Sequence, residues 1–127
     1  KIIMVRQFRP VLDEYTLELP AGHIDEGEDS KIAASRELYE ETGFICETWT
    51  ELSCGLFAMA SRSTMCSAIL FGFNAKPDKS FSPGEDNEVR LATVAELRRL
   101  ILGGSCRQNS APAALLLARW HGLIEDV

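Results

Sequence analysis

The hydrophobic pattern opens with an almost unbroken apolar run, Ile2 to Phe8, which predicts a first strand. Tyr15-Thr16-Leu17-Glu18-Leu19 alternates with period two and predicts a second strand, stopped by Pro20. Residues 20–29 are rich in glycine and acid and read as a loop. Ser30 is the expected N-cap of a helix over Lys31–Thr42, with Gly43 at its C-terminal stop and Ile32, Ala33, Leu38 and Tyr39 on its apolar side. Phe44–Ala58 predicts one or two strands, and Met65–Asn74 a long apolar strand expected at the centre of a sheet. A polar loop follows over Pro77–Asn87, then a short strand over Glu88–Ala92. Thr93 and Glu96 have capping-box spacing and predict a helix through Leu102 that ends at Gly103-Gly104. Ser110 is the expected cap of a last helix, with Pro112 in its first turn and a body over Ala113–Ile124. Strands interleaved with helices predict an α/β fold.

A chain of 127 residues with 46% hydrophobic residues supports a single domain over 1–127 with one buried core. The net charge of −6 argues against a nucleic-acid partner, whose surface normally calls for a basic face. No apolar run reaches the roughly 18–20 residues that span a bilayer, so no membrane segment is expected. No signal peptide is expected, and Cys46, Cys54, Cys66 and Cys106 show no C-x-x-C spacing. Reduced, packed thiols in a cytoplasmic protein are the expectation.

The acidic excess gathers around one helix. Glu37, Glu40 and Glu41 crowd two turns, although like charges three and four apart repel by a few tenths of a kcal/mol. At about 100° per residue, Glu37 and Glu41 fall within roughly 40° of each other, with Glu40 flanking them. Arg36 is four residues before Glu40 and is expected to brace it, while Glu28 from the preceding loop is placed to join. Clustered hard oxygen donors suit Mg²⁺ or Mn²⁺, and Mg²⁺ suggests a phosphate-bearing substrate.

From Gly22 to Phe44 the segment resembles the signature of the Nudix hydrolase superfamily, G-x5-E-x7-R-E-U-x-E-E-x-G-U, at all nine specified positions: Gly22, Glu28, Arg36, Glu37, Leu38, Glu40, Glu41, Gly43 and Phe44. Arg9-Pro10, Leu19-Pro20-Ala21-Gly22 and the acidic loop around Glu85 are similar to the ADP-ribose and ADP-sugar pyrophosphatase branch. The resemblance implies an α/β/α sandwich with a mixed β-sheet between helices, and Mg²⁺-dependent hydrolysis of a nucleoside diphosphate linked to X. ADP-ribose or another ADP-sugar would give AMP and a sugar phosphate. It implies metal ligation by Glu37, Glu40, Glu41 and the Ala21 carbonyl. Glu85 would complete the metal site or act as base, with Glu88 as second choice. Arg9 would grip the diphosphate, the His23 backbone would touch substrate, and Arg62 would contact a ribose or an anion.

The resemblance departs at Ala60, where ADP-ribose-selective members commonly carry proline, and at the start, where a strand or arm is expected ahead of Lys1: either the domain is minimal or that segment lies upstream of the residues given. Another NDP-sugar, a dinucleotide or a nucleoside triphosphate is therefore the alternative substrate, and a non-catalytic nucleotide-binding domain is the alternative class. The sheet edge expected at Lys1–Phe8 would invite pairing with a second subunit, giving a possible homodimer.

Overall fold

The computed structural model describes residues 1–125. Its elements run β1 (Ile2–Arg9), β2 (Glu14–Glu18), α1 (Ser30–Thr42), β3 (Phe44–Ile45), β4 (Thr48–Phe57), β5 (Cys66–Phe73), β6 (Lys76–Pro77), β7 (Asn87–Ala92), α2 (Val94–Leu102) and α3 (Ser110–Trp120). Strands and helices form an α/β arrangement, and each strand pairing among the described residues is antiparallel.

β1 lies between β2 and β7, with Gln7 opposite both Thr16 and Asn87. The expected free edge at residues 1–8 is therefore not there. β1 carries apolar residues on both faces because both faces are covered, which is what the consecutive apolar residues Ile2–Val5 reported. On one face Met4 packs with Leu17, Ala92, Leu97 of α2 and Ala111 of α3. Val5 and Gln7 point the other way, and there Gln7 meets Glu41 of α1. Helices thus cover opposite faces of the β2-β1-β7 sheet. That places the acidic face of α1 beside the Gln7–Arg9 end of β1.

β5 does not occupy the expected central position. Among the described residues its partner is β4 alone, in a hairpin with register shifts on either side of Ser53. Its hydrophobicity instead serves a second cluster, where Leu52 and Ile69 pack against Ala118 of α3, with Phe71 alongside. α3 is also shorter than its apolar pattern suggested. It starts after Asn109, which makes no side-chain cap bond, and ends at Trp120. His121 then lies 3.2 Å from the Leu52 carbonyl oxygen.

α1 is capped one residue earlier than expected. The Asp29 carboxylate accepts the Lys31 N–H at 2.9 Å, while the Ser30 hydroxyl donates to Glu51. Ala33 and Leu38 are buried, but Ile32 is 62% exposed and does not belong to the packed side. Gly43 ends the helix at φ 72°, and its N–H reaches the Tyr39 carbonyl at 2.8 Å.

A Cβ on Gly43 would stand 2.4 Å from the Phe81 ring. Gly43→Ala is expected to destabilise the fold by about 2–4 kcal/mol, combining left-handed strain with overpacking. A denaturant midpoint unchanged by the substitution would show that this cap is dispensable.

The four thiols are unpaired, but only Cys106 is buried and Cys46 half-buried. Cys54 and Cys66 are exposed on the β4–β5 hairpin, so the expectation of packed thiols fails for them. No helix among the described residues is long and apolar enough to cross a membrane.

Candidate active site

Arg36, in the middle of α1, organises the acidic residues around it. Its Nε and Nη2 donate to the two oxygens of Glu28 at 3.0 and 2.9 Å, a two-pronged pair that a lysine could not form. Its Nη1 donates to Glu37 at 2.8 Å and, more weakly, to Glu40 at 3.4 Å. Its Nη2 also donates to the His23 carbonyl at 2.9 Å. The principal brace is thus Glu28 rather than the expected Glu40. Glu28 is itself fixed by a tight turn in which the Asp25 N–H donates to its carboxylate at 3.1 Å and the Glu28 N–H to the Asp25 carbonyl at 3.0 Å. Gly27, at φ 77°, allows that turn. The pairing with Glu28, then Glu37, pushes the Arg36 pKa further up, and Arg36 in turn holds Glu28 below the usual carboxylate range.

Glu41 occupies a different environment. It is half-buried, with its carboxylate accepting the Ala21 N–H at 3.3 Å and a hydrogen bond from Gln7. Burial pushes its pKa up. The Gln7 and Ala21 hydrogen bonds partly offset this, nearby Glu37 adds to it, and nearby Arg9 opposes it. Glu37 is in close contact with the main chain at Gly22, where an added Cβ would fall 2.0 Å from the Glu37 carboxyl carbon. Only glycine lets backbone and carboxylate approach in this way.

These observations test whether a divalent cation suits the site. The donors are carboxylate oxygens beside exposed main chain at Ala21-Gly22, the hard-oxygen chemistry that Mg²⁺ and Mn²⁺ prefer. Glu41 pays a desolvation penalty as an anion that a cation would relieve. Yet no three acidic, histidine or cysteine side chains among the described residues are gathered closely enough to hold an ion as they are oriented. Glu37 is turned onto Arg36, and Glu41 onto Ala21 and Gln7. Glu37 and Glu41, four residues apart on α1, share one face of the helix.

Arg9 is committed to Glu18. Its Nε and Nη2 donate to the two Glu18 oxygens at 3.0 and 2.5 Å, and the Thr16 hydroxyl joins the same carboxylate at 2.6 Å. Arg9 nonetheless lies within electrostatic range of Glu41. Arg6 has the opposite fate, stacking over the Tyr15 ring at 3.8 Å.

Glu85 lies in the exposed segment before β7 and makes no hydrogen bond or ion pair among the described residues. Because Asn87 pairs with Gln7, that segment leaves the sheet at the end of β1 that carries Gln7 and Arg9. Glu88 approaches Arg6 at 3.9 Å instead. Arg62 sits in the exposed turn between β4 and β5, where its N–H reaches the Met59 carbonyl, and it is not drawn into the cluster. His23 contributes its carbonyl to Arg36, while the residue as a whole is exposed.

Two participants escaped sequence reasoning: Gln7 and Glu18. Gln7 left a faint signal, a polar residue inside an apolar run. Glu18 left none, because its partner is set by tertiary structure. Two concavities of about 290 and 220 Å³, one lined by Met4, Arg90 and Arg99, the other by Tyr15, Glu18 and Gln108, include none of Glu28, Glu37, Glu40 and Glu41 in their walls.

Comparison with known proteins follows the same lines. The chain is 51% identical over 47 residues to a methanol dehydrogenase activator of Bacillus methanolicus, covering 37% of the chain and 25% of that protein. It is 56% identical over 43 residues to an ADP-sugar pyrophosphatase of Mus musculus, covering 34% and 20%. It is 45% identical over 53 residues to an ADP-ribose pyrophosphatase of Bacillus subtilis, covering 42% and 29%. The matched stretches therefore span less than a third of these relatives' lengths. A solved structure described as an ADP compounds hydrolase superposes with a TM-score of 0.75 over 94% of the chain and 64% of that protein, at 24% identity, which supports the fold. The model of the NUDIX domain matches residues 1–110, most of the chain. The chain belongs to the NUDIX domain family.

Proposed function

We propose that the chain hydrolyses the pyrophosphate bond of a nucleoside diphosphate linked to X, with ADP-ribose or another ADP-sugar as substrate and AMP and a sugar phosphate as products. The observation that carries this reading is the joining of Glu28, Glu37 and Glu40 through Arg36 beside a main chain that touches Glu37 at Gly22 and Glu41 at Ala21. A solvated acidic helix has no use for a glycine pressed against one of its carboxylates. The relatives named for ADP-sugar and ADP-ribose pyrophosphatase activity support the substrate class.

Glu37, Glu40, Glu41 and the Ala21 carbonyl would hold Mg²⁺, with Mn²⁺ as a substitute. When bound, the ion supplies charge neutralisation for the diphosphate and acidifies a coordinated water. The chain does the rest. Arg36 holds the loop residue Glu28 against Glu37 of the helix. Arg9 would exchange part of its Glu18 pairing for the diphosphate, placing the reacting phosphorus beside α1. Glu85, on its unpaired segment, would take the proton from the attacking water or complete the cation's ligands. The His23 backbone and Arg62 would contact the remainder of the substrate.

The test is a panel of ADP-ribose, other NDP-sugars, dinucleotides and nucleoside triphosphates, run with Mg²⁺ in ¹⁸O-labelled water. ADP-ribose or another ADP-sugar should turn over fastest, with one label entering one of the two phosphate products. Absence of turnover across the whole panel contradicts the proposal. A preference for triphosphates retains the chemistry and overturns the substrate.

A further inference from the structure

The geometry points to Gln108 as a positioning residue for the carboxylate site, acting through the main chain of Leu19; the inference rests on the hydrolase reading above. β2 ends at Glu18, and Pro20 has no N–H to continue a ladder. The stretch Leu19-Pro20-Ala21-Gly22 therefore leaves the sheet just before it meets Glu41 and Glu37. At that exit the Gln108 amide does what a neighbouring strand would do. The Leu19 N–H donates to its Oε1 at 2.8 Å, and its Nε2 donates to the Leu19 carbonyl at 3.2 Å. Two residues on, the Ala21 N–H reaches Glu41.

Gln108 is itself firmly held. Its carbonyl accepts the Ala111 N–H at 3.2 Å, and the N–H groups of Ser105 and Cys106 share the Leu100 carbonyl at 2.9 Å. Cys106 and Ala111 are buried, and Arg107 pairs with Glu14 of β2. The connector between α2 and α3 is thus anchored on both sides, with the amide facing the chain that feeds α1. Only a primary amide offers one donor and one acceptor in a plane that matches a peptide group. Glutamate keeps the acceptor and loses the donor, and leucine keeps the volume and loses both.

The full chain carrying Gln108→Leu or Gln108→Glu tests this by amide exchange, Mn²⁺ affinity and steady-state kinetics. In the leucine variant, exchange at Leu19 and Ala21 should accelerate about tenfold while amides of α2 and α3 keep their parental rates. Mn²⁺ affinity should weaken and kcat fall by about 10–100-fold, the range for residues behind a metal ligand, with KM changed less than about threefold. Gln108→Glu should fall between leucine and parent. Parental Mn²⁺ affinity and kcat in the leucine variant overturn the proposal, as do losses that merely follow a uniform rise in exchange. Should the leucine variant not fold, parental values in Gln108→Glu overturn it equally. Parental turnover in Glu41→Gln would sink the hydrolase reading itself. An inactive Glu41→Gln beside a parental Gln108→Leu would sink only the role of Gln108.

Discussion

Glu41→Gln is expected to lower kcat by more than about a hundredfold, beyond the roughly 10–100-fold typical for a residue standing behind a metal ligand. The substitution keeps shape and the capacity to accept the Ala21 N–H, so it removes charge and little else. Its effect on stability should run the other way. Burial raises the Glu41 pKa above its unfolded value. The folded state thus disfavours the anion, and the cost is present once pH exceeds the unfolded value, including at neutrality. A neutral amide escapes that cost. Without metal, the Gln variant should melt at or slightly above the parental temperature at pH 7, while turnover collapses. Parental kcat in the variant would contradict the assignment of Glu41 as a ligand.

The second large effect is expected at Gly22. An alanine methyl there would lie 2.0 to 2.3 Å from the carboxyl atoms of Glu37, too close for any contact. Gly22 is not in a left-handed conformation, so the backbone itself accepts alanine without strain. The Glu37 carboxylate, the free end of a flexible side chain, is what must move. Gly22→Ala should therefore spare the fold, with Tm within a few degrees, and lower kcat/KM by about 10–100-fold through a misplaced ligand. Thermal melts and kinetics on the same preparation separate the two. Parental activity would mean that the contact between Glu37 and the main chain has no part in the chemistry.

How much of this was legible in the sequence depends on whether a feature is local. Helix α1 could be read because Leu38, Gly43 and the charged face all answer to its own geometry. The Thr93–Glu96 capping box was equally local, and both its hydrogen bonds are present. The N-cap shifted from Ser30 to Asp29 because both residue types can cap, and the Ser30 hydroxyl is drawn to Glu51 on β4. Strand placement was less accessible. Hydrophobic runs report that both faces of a strand are covered, not which strand lies beside it. Hence β1 proved to be flanked on both sides, while β5, equally apolar, pairs only with β4 and packs on α3.

The site divides along the same line. Charge crowding on α1 raised the expectation of a cation, and the spacing of Arg36 set it among the carboxylates. Its choice of Glu28 over Glu40 depended on a turn at Asp25–Glu28 that brings a loop carboxylate back over the helix. Glu18 holding Arg9 and Gln108 holding Leu19 are long-range pairings without periodicity to betray them. Glu85 matched a family pattern and Arg62 did not, and here both stand on exposed segments apart from the cluster.

Binding of Mn²⁺ to the parent and to Glu41→Gln, followed by electron paramagnetic resonance without substrate, addresses the central matter directly. Saturable binding by the parent, weakened at least about tenfold in the variant, is the predicted result, since a lost ligand should exceed the smaller effects of residues behind it. A parent that holds no Mn²⁺, or a variant that holds it equally well, would mean that the acidic face of α1 serves Arg36 alone.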